Sequence, residues 1–296
     1  MQTEAFRKFS FVSAVLAFFL IFAGGMVTST GSGLAVPDWP LSYGRYFPPM
    51  TGGVLFEHGH RMIAAVVAAM TWTLAVWSWL RERRRWVRLL ATAAALGIAA
   101  QAVLGGITVL YGLPPAVSSL HACLGQALFC ALVALWEAGV DRQAVPLSAG
   151  MWVPGAAAFT AFYLQLTLGA VLRHTGLGLA WHLAGALLAG GSAAWLVRRS
   201  FKEEHPALAP LARAVAGLFP LQLLLGALAL VLRTVRHAPS VAAAAGLRGA
   251  AQTAFSGWWH LAPSAMTALH VACGAVLLAV AALWTVRALR LSGRLA

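Results

Sequence analysis

Eight stretches of about 20 mostly apolar residues follow one another along this chain, with little sequence between them. A stretch of this length allows an α-helix to cross the hydrocarbon core of a bilayer. The chain is 60% hydrophobic and only 10% charged, so no part of it resembles a separate soluble domain. The sequence therefore predicts an all-α integral membrane protein with eight transmembrane helices. Their predicted ranges are 9–28, 54–80, 86–111, 116–135, 152–172, 178–196, 211–232 and 264–284.

The basic residues orient these helices. With the N-terminus inside, 15 of the 21 Lys and Arg residues fall on the inner side and 6 on the outer side. By the positive-inside rule, both termini are predicted to be cytoplasmic. The net charge of +13 then reflects topology and contact with membrane lipids, and no nucleic-acid partner is expected. The first segment follows Arg7 and Lys8 like a signal peptide, but we interpret it as a retained helix because it runs directly into a long loop.

An internal repeat organises the chain. TGSGLA at 30–35 recurs as TGLGLA at 175–180, and QAVLGG from Gln101 recurs as QLLLGA from Gln222. LHACLG in the fourth segment likewise recurs as LHVACG in the eighth. Each unit has an even number of helices, so both copies enter the membrane from the same side. We therefore predict two pseudo-symmetric four-helix bundles, residues 1–143 and 144–296.

Each even-numbered segment carries a histidine near its start: His60, His121, His182 and His270. Imidazole is costly in hydrocarbon, so four of them at one depth need a partner. Helices 2 and 4 of an up-down bundle lie diagonally, so His60 can face His121 and His182 can face His270 across a flat porphyrin. The pattern predicts two haem sites with histidine ligands to the iron. Zinc is disfavoured, because a histidine pair does not complete its four-coordinate shell.

Small residues stand four positions after each of these histidines, and they allow two interpretations. They can leave room for a macrocycle, or they can serve close helix packing. They are Ala64, Gly125, Ala186 and Gly274.

The two halves differ in one acidic residue. Glu57 lies three residues before His60, on the same helix face, whereas Ser118, Leu179 and Thr267 stand at the matching positions. Glu57 is therefore the candidate for proton handling. The alternative is a carboxylate favoured at a helix N-terminus and paired with Arg61. His58 must point elsewhere on the helix and is expected at the membrane interface.

The first half also has a long outer loop, residues 31–50, whose prolines and glycines predict a structured cap. Asp38 and Trp39 in this loop either line a haem edge or belong to a turn with an interfacial tryptophan. Near the end of the last loop, residues 258–260 predict a segment at headgroup level.

All three cysteines fall within predicted helices, which makes them most simply small buried hydrophobes. Two of them lie near His121 and His270, so a thiol role stays open. They are Cys123, Cys130 and Cys273.

TGSGLAVPDWP, followed by EHGHR and by single histidines in segments 4, 6 and 8, resembles the haem A synthase family over essentially the whole chain. The resemblance implies oxidation of the C8 methyl group of haem O to a formyl group, which gives haem A for terminal oxidases. It implies that His60 and His121 are the axial ligands of the substrate haem. It further implies that His182 and His270 hold a haem B cofactor and that Glu57 assists catalysis.

Further expectations accompany this resemblance. Arg61 and Arg173 are candidate partners of the haem propionates, because both lie near the outer ends of their helices. An unidentified electron donor and haem O synthase are the expected protein partners. The short N-terminus lacks an Arg/Ser-rich transit peptide, which favours a bacterial plasma membrane. Many family members have a cysteine pair in the first outer loop, but Val36 and Ser42 occupy that region here, so no loop disulfide is expected.

Two other functions stay open. One is a dihaem b-type membrane cytochrome that transfers electrons from quinol. The other is a haem carrier that leaves its cargo unchanged. A prenyltransferase that makes haem O is disfavoured, because the chain has no Asp-rich motif for magnesium and diphosphate.

Overall fold

The computed structural model describes residues 4–237 and 261–295, and these residues form eight long helices. All eight are long and apolar enough to cross a membrane, which confirms the predicted all-α membrane fold. In chain order they are α1 (Glu4–Ser29), α2 (Gly53–Arg81), α3 (Arg85–Leu110), α4 (Pro115–Ala138), α5 (Val153–Thr175), α6 (Leu179–Glu203), α7 (Ala209–His237) and α8 (Ala262–Leu291).

Some helices extend beyond the apolar segments that predicted them. The clearest case is α6, which continues past residue 196 through Arg198, Arg199 and Lys202 to Glu203. Long basic side chains can lie along apolar surface while their charges reach water, so a helix need not end where its charges begin.

Each half of the chain forms a ring of four helices. In the first half α1 and α3 each pack against both α2 and α4, and in the second half α5 and α7 each pack against both α6 and α8. Helix α2 therefore faces α4 across its ring, and α6 faces α8. The rings meet through α1, α4, α5 and α8, and these contacts agree with the predicted duplication.

Large apolar side chains remain exposed on the outside of the bundle. Leu187 is 80% exposed, and Leu80 and Trp181 are each 73% exposed. Water-facing surfaces rarely carry so much apolar area, whereas lipid solvates it well. The chain is thus a multi-pass membrane protein.

The even-numbered helices begin at one end of the bundle, which we call the histidine end. They finish at the other end, where α1 also begins, which we call the terminal end. At the terminal end, Glu137 of α4 is fully buried and pairs with Arg142, Arg287 and Arg290. Since Arg287 and Arg290 belong to α8, this cluster ties the two rings together.

Candidate haem sites

All four predicted ligands lie within the first three turns of their helices, at the histidine end. His60 and His121 stand on α2 and α4, which face each other across the first ring. The imidazole centroids of His182 and His270 lie 6.4 Å apart across the second ring, with their planes at 78°. The structure therefore brings together the two pairs that the sequence predicts.

The spacing of His182 and His270 fits two axial ligands of one iron. Two nitrogens bound to a metal at about 2 Å each place the ring centroids about 6 Å apart. Among residues 4–237 and 261–295, no group of three or more His, Cys, Asp or Glu side chains could hold a metal ion. Two imidazoles without further protein donors suit a metal whose other ligands come from a macrocycle.

The first pair fits the same group for a different reason. The Nδ1 atoms of His60 and His121 are buried and have no hydrogen-bond partner in the described part of the chain. Buried polar atoms without partners are costly, so the imidazoles of His60 and His121 are both suited to an additional ligand.

A glycine of the preceding helix lies against each of the four imidazoles. A Cβ atom added to Gly24 of α1 would lie 3.0 Å from His60 Cε1, and one added to Gly105 of α3 would lie 3.3 Å from His121 Cε1. The second ring repeats these contacts at 3.0 Å for Gly169 and His182, and at 2.8 Å for Gly226 and His270. Each odd-numbered helix therefore fixes the position of one imidazole by close approach of its backbone.

A glutamine stands four residues before three of these glycines. In the sequence, Gln101 and Gln222 are visible only as part of the internal repeat, with no indication that they contact the histidines. Gln101 Nε2 donates to the backbone oxygen of His121 at 2.8 Å, and Gln165 Nε2 donates to that of His182 at 2.9 Å. At the third of these glutamines, it is the backbone oxygen that makes the contact: His270 Nδ1 lies 3.1 Å from the backbone oxygen of Gln222. The QxxxG spacing in α3, α5 and α7 is the sequence signal for these contacts.

The glutamines also explain two of the small residues after the histidines. A Cβ added to Gly125 would lie 2.9 Å from Gln101 Nε2, and one added to Gly274 would lie 3.0 Å from Gln222 Nε2. These two positions hold a glutamine side chain against the helix, as the helix-packing interpretation expects.

Glu57 joins the outer loop to α2. It is 3% exposed, and its Oε1 lies 2.5 Å from Arg61 NH2, while its Oε2 accepts the backbone N–H of Val36 at 2.8 Å. Arg61 NH1 also donates to the backbone oxygens of Asp38 and Leu41, at 2.8 and 2.9 Å. The ion pair of the alternative interpretation is therefore present, and it holds the loop over the first ring.

The prediction that His58 is interfacial is wrong. His58 is only 7% exposed, and its Nδ1 lies 2.8 Å from Ser42 Oγ. Ser42 and Val36 are both fully buried, and each contacts α2, where Val36 bonds to Glu57. Val36 and Ser42 thus fix the outer loop to α2 through hydrogen bonds.

Asp38 stabilises a turn within this loop. Its carboxylate accepts the backbone N–H of Gly44 at 2.8 Å and that of Tyr43 at 2.7 Å. These bonds favour the charged form and lower the pKa of Asp38 below its ordinary value. For Asp38, the structure therefore agrees with the turn interpretation.

Trp39 packs against the first site. A Cβ added to Gly106 would lie 2.9 Å from the Trp39 ring, and the adjacent Gly105 contacts His121. The outer loop thus inserts an aromatic ring one residue away from the glycine that supports a predicted ligand.

Arg173 connects the two rings at the histidine end. Its NH2 donates to the backbone oxygen of Gly25 at 2.8 Å and to Ser29 Oγ at 2.6 Å. Contacts of Arg61 and Arg173 with propionates stay predictions, because part of each guanidinium already bonds to the protein.

All three cysteines are free thiols, and Cys123 and Cys130 are buried. Cys123 Sγ lies 3.7 Å from Thr167 Oγ1, and Cys273 Sγ lies 3.8 Å from the backbone oxygen of Leu218. Packing among helices is the role these contacts support. The predicted headgroup segment at 258–260 lies outside the described residues.

The first part of the chain matches a family model described as COX15-CtaA, cytochrome oxidase assembly protein, over residues 7–54 and 52–182. That match includes Glu57, His60, His121 and His182, while His270 lies beyond it.

Several curated proteins named heme A synthase are similar to this chain. One from Lysinibacillus sphaericus is 31% identical over 185 residues, which are 59% of this chain and 60% of that protein. One from Bacillus pumilus is 30% identical over 184 residues, 58% of this chain and 59% of that protein. One from Bacillus licheniformis is 25% identical over 187 residues, 60% of this chain and 62% of that protein. The chain thus spans about three-fifths of the length of these relatives.

Proposed function

This chain belongs to the COX15-CtaA family of cytochrome oxidase assembly proteins, and we propose that it performs the haem A synthase reaction on haem O. The observation that carries this proposal is the inequality of the two histidine pairs. Both rings hold such a pair, but within residues 4–237 and 261–295 only the pair of the first ring has a buried carboxylate beside it, Glu57, which also fixes the outer loop. The first ring is therefore the site of chemistry, and the second ring is the site of a resident cofactor.

Haem O is the substrate, held between His60 and His121. Its C8 methyl group is oxidised to an alcohol and then to a geminal diol, which loses water to give the formyl group of haem A. The net change replaces two hydrogen atoms of the methyl group by one oxygen atom, a four-electron oxidation that requires an external oxidant of the class of dioxygen. Each hydroxylation then takes one oxygen atom from the oxidant, and two electrons from the electron donor with two protons reduce the other oxygen atom to water. Burial beneath the outer loop limits access of bulk water to these steps.

Glu57 is the acid–base group of this site. Both of its oxygens are held, one by Arg61 and one by the Val36 N–H, so the carboxylate has a fixed position one helical turn before His60. Its role is to move protons or to orient water at the substrate edge. Trp39 and Asp38 shape and close the loop, while Arg61 and Arg173 provide cations for the propionates.

Haem B is the cofactor of the second ring, where His182 and His270 would be its axial ligands. When bound, it supplies one-electron chemistry. The protein holds the two imidazoles at the required spacing through Gly169, Gly226 and Gln165. This division assigns residues 1–143 to the substrate half and residues 144–296 to the cofactor half.

The proposed location is a bacterial plasma membrane with both termini in the cytoplasm, supported by the excess of basic residues at the terminal end. The proposed partners are an electron donor and the enzyme that makes haem O.

The test is to express the chain in a bacterium that makes haem O but not haem A. Haem A is expected in membrane extracts, identified by mass spectrometry. Changing either His60 or His121 to Ala should abolish the product while haem B stays bound in the second ring. Changing His182 or His270 to Ala should remove haem B and the product together.

The same experiment separates the proposed function from electron transfer. A folded protein that carries two haem B groups and yields no haem A would support a dihaem cytochrome. A folded protein that carries no haem would overturn the dihaem model.

A further inference from the structure

We propose that Gln101, Gln165 and Gln222 position three of the four histidine ligands. The equivalent residue of α1 is Leu20, so His60 lacks such support and is the ligand that is released when the substrate haem is exchanged. The assignment of the ligands to haem rests on the proposed function. The contacts from which the positions of the histidines are argued are independent of that function.

The four odd-numbered helices place one residue at the same point of each site. The imidazoles of His60, His121, His182 and His270 face the backbone carbonyls of Leu20, Gln101, Gln165 and Gln222, in that order. Each of these residues lies four positions before the glycine that contacts the same imidazole. The sites are therefore equivalent in backbone geometry, and they differ in the side chain at this one position.

At three sites that side chain is an amide that binds the ligand's own segment. Gln101 and Gln165 donate to the backbone oxygens of His121 and His182, and Gln165 Nε2 also lies 3.2 Å from His182 Nδ1. At the third of these sites the backbone oxygen of Gln222 holds the ring, 3.1 Å from His270 Nδ1, and the Gln222 amide lies beside it, with Nε2 3.5 Å from His270 Nε2. Such bonds cross from one helix to the next where no water competes, so they fix the histidine along and around its helix.

The helix that carries the histidine makes room for each amide with a glycine. Gly125 and Gly274 meet the amides of Gln101 and Gln222, and a Cβ at Gly185 would overlap the amide oxygen of Gln165. At the first site the position that matches Gly185 is Ile63 and the position that matches Gly125 and Gly274 is Ala64, so neither the amide nor its glycine is present.

The cost of these glutamines indicates that they are used. The Oε1 atoms of Gln101, Gln165 and Gln222 are buried without a hydrogen-bond partner among the described residues. An apolar side chain would avoid that cost, and Leu20 demonstrates that the helix contact forms with one. We infer that glutamine is present at these three sites for the N–H groups of its side-chain amide.

The difference between the sites determines which axial ligand dissociates first from the haem iron. A bound haem leaves only after one axial bond breaks, and the bond to the less firmly positioned histidine breaks first. The Nδ1 atoms of His60 and His121 both lack a partner, but His121 is held by Gln101 and His60 has no cross-helix amide, so His60 is the less firmly positioned ligand. The first ring thus combines one fixed and one releasable ligand, as exchange of substrate for product requires. The second ring has two fixed ligands, which suits a permanent cofactor.

The experiment measures release of haem, not turnover. The purified protein in detergent is loaded with two equivalents of haem B, and transfer to excess apomyoglobin is followed by absorbance. Two phases are expected, and His60→Ala and His182→Ala assign them to the first and second ring. Leu20→Gln with Ala64→Gly should slow the fast phase about tenfold, by analogy with outer-shell partners of metal ligands. The matched control, Leu20→Met with Ala64→Gly, should leave that phase unchanged.

The second ring provides the reverse test. Gln165→Met should accelerate the slow phase by about 10–100-fold and shift the low-spin electron paramagnetic resonance signal of that haem. Leu164→Met, a lipid-facing neighbour that is 46% exposed, should do neither.

The proposal is overturned if the two Leu20 double variants release haem equally fast, or if Gln165→Met behaves like Leu164→Met. Because haem B is the probe, these outcomes do not depend on haem A being formed. Failure of the proposed function would appear separately, as absent product from a protein with two normal release phases.

Discussion

Glu57 takes part in both an ion pair and the proposed chemistry, and single substitutions separate the two roles. Glu57→Gln keeps the size of the side chain but removes its charge. Haem binding should survive, while haem A formation falls by about 10²–10⁴-fold, the usual contribution of a positioned acid–base group. The measurement is the rate of haem A formation in membranes, normalised to bound haem.

Arg61→Gln is the matched control for this substitution. It breaks the same ion pair and weakens the loop contacts, but it leaves the carboxylate in place. If Glu57 acts chemically, Arg61→Gln should retain clearly more activity per bound haem than Glu57→Gln, even where loss of the proposed propionate contact lowers the amount of haem bound. Equal losses in the two variants would assign Glu57 to holding the loop.

Asp38 gives a prediction with a defined pH dependence. The N–H groups of Gly44 and Tyr43 lower the pKa of Asp38, so its stabilising effect is fully present above the unfolded value of about 4. The effect is lost as the pH falls through the lower folded value. The Tyr43 and Gly44 amides should therefore stay protected from hydrogen exchange between about pH 5 and 8.

In Asp38→Asn the same two amides should exchange faster throughout that range. Asp141→Asn, at the terminal end, should leave them unchanged. Identical exchange in Asp38→Asn and the unchanged protein would contradict a role for this carboxylate in the loop.

At the scale of the elements, helix positions were predictable because membrane thickness imposes one length on every apolar segment. The pairing of the histidines was also predictable, since equal depth on alternate helices leaves few arrangements. The glutamine contacts were missed although the QxxxG spacing marks them, because the partners of Gln101 and Gln165 are backbone oxygens on another helix, which no side-chain pattern identifies. His58 was misjudged for a similar reason: Ser42 in the loop covers it, and loop geometry does not follow a helical period.

The glycine beneath each imidazole gives a prediction for helix packing. Gly169→Val should displace the His182 ring, because even a Cβ would lie 3.0 Å from Cε1. Haem B content should fall at least about tenfold, measured from the haem spectrum per chain. Gly191→Val adds the same side chain to α6 at a place with open space, so haem content should be retained. Equal haem content in both variants would exclude close support of His182 by Gly169.

Across the whole molecule, buried polar contacts join the two rings at both ends. At the histidine end, Arg173 binds Gly25 and Ser29, and Ser264 Oγ donates to the backbone oxygen of Ser29 at 2.8 Å. At the terminal end, Glu137 of the first ring binds Arg287 of the second at 2.7 Å. The two candidate haem sites are thereby held at a fixed separation, which electron transfer between them requires.

The terminal-end cluster predicts a large effect on stability. Glu137 is fully buried and is the carboxylate shared by Arg142, Arg287 and Arg290. Glu137→Gln leaves these three cations without their common counter-charge, and loss of one partner from a buried pair costs about 3–5 kcal/mol. Thermal unfolding in detergent should therefore shift strongly downward.

Glu4→Gln is the control, because the Glu4 and Lys8 side chains are 66% and 71% exposed and such surface pairs contribute little to stability. The Glu137 variant should also loosen the contact between the rings. Haem A formation should then fall further than haem B content, because the second ring keeps its own ligands while its position relative to the first becomes variable. Unfolding at the same temperature in Glu137→Gln and Glu4→Gln would mean that the three arginines find other partners. The rings would then be held together by apolar packing of α8 against α4 and α1.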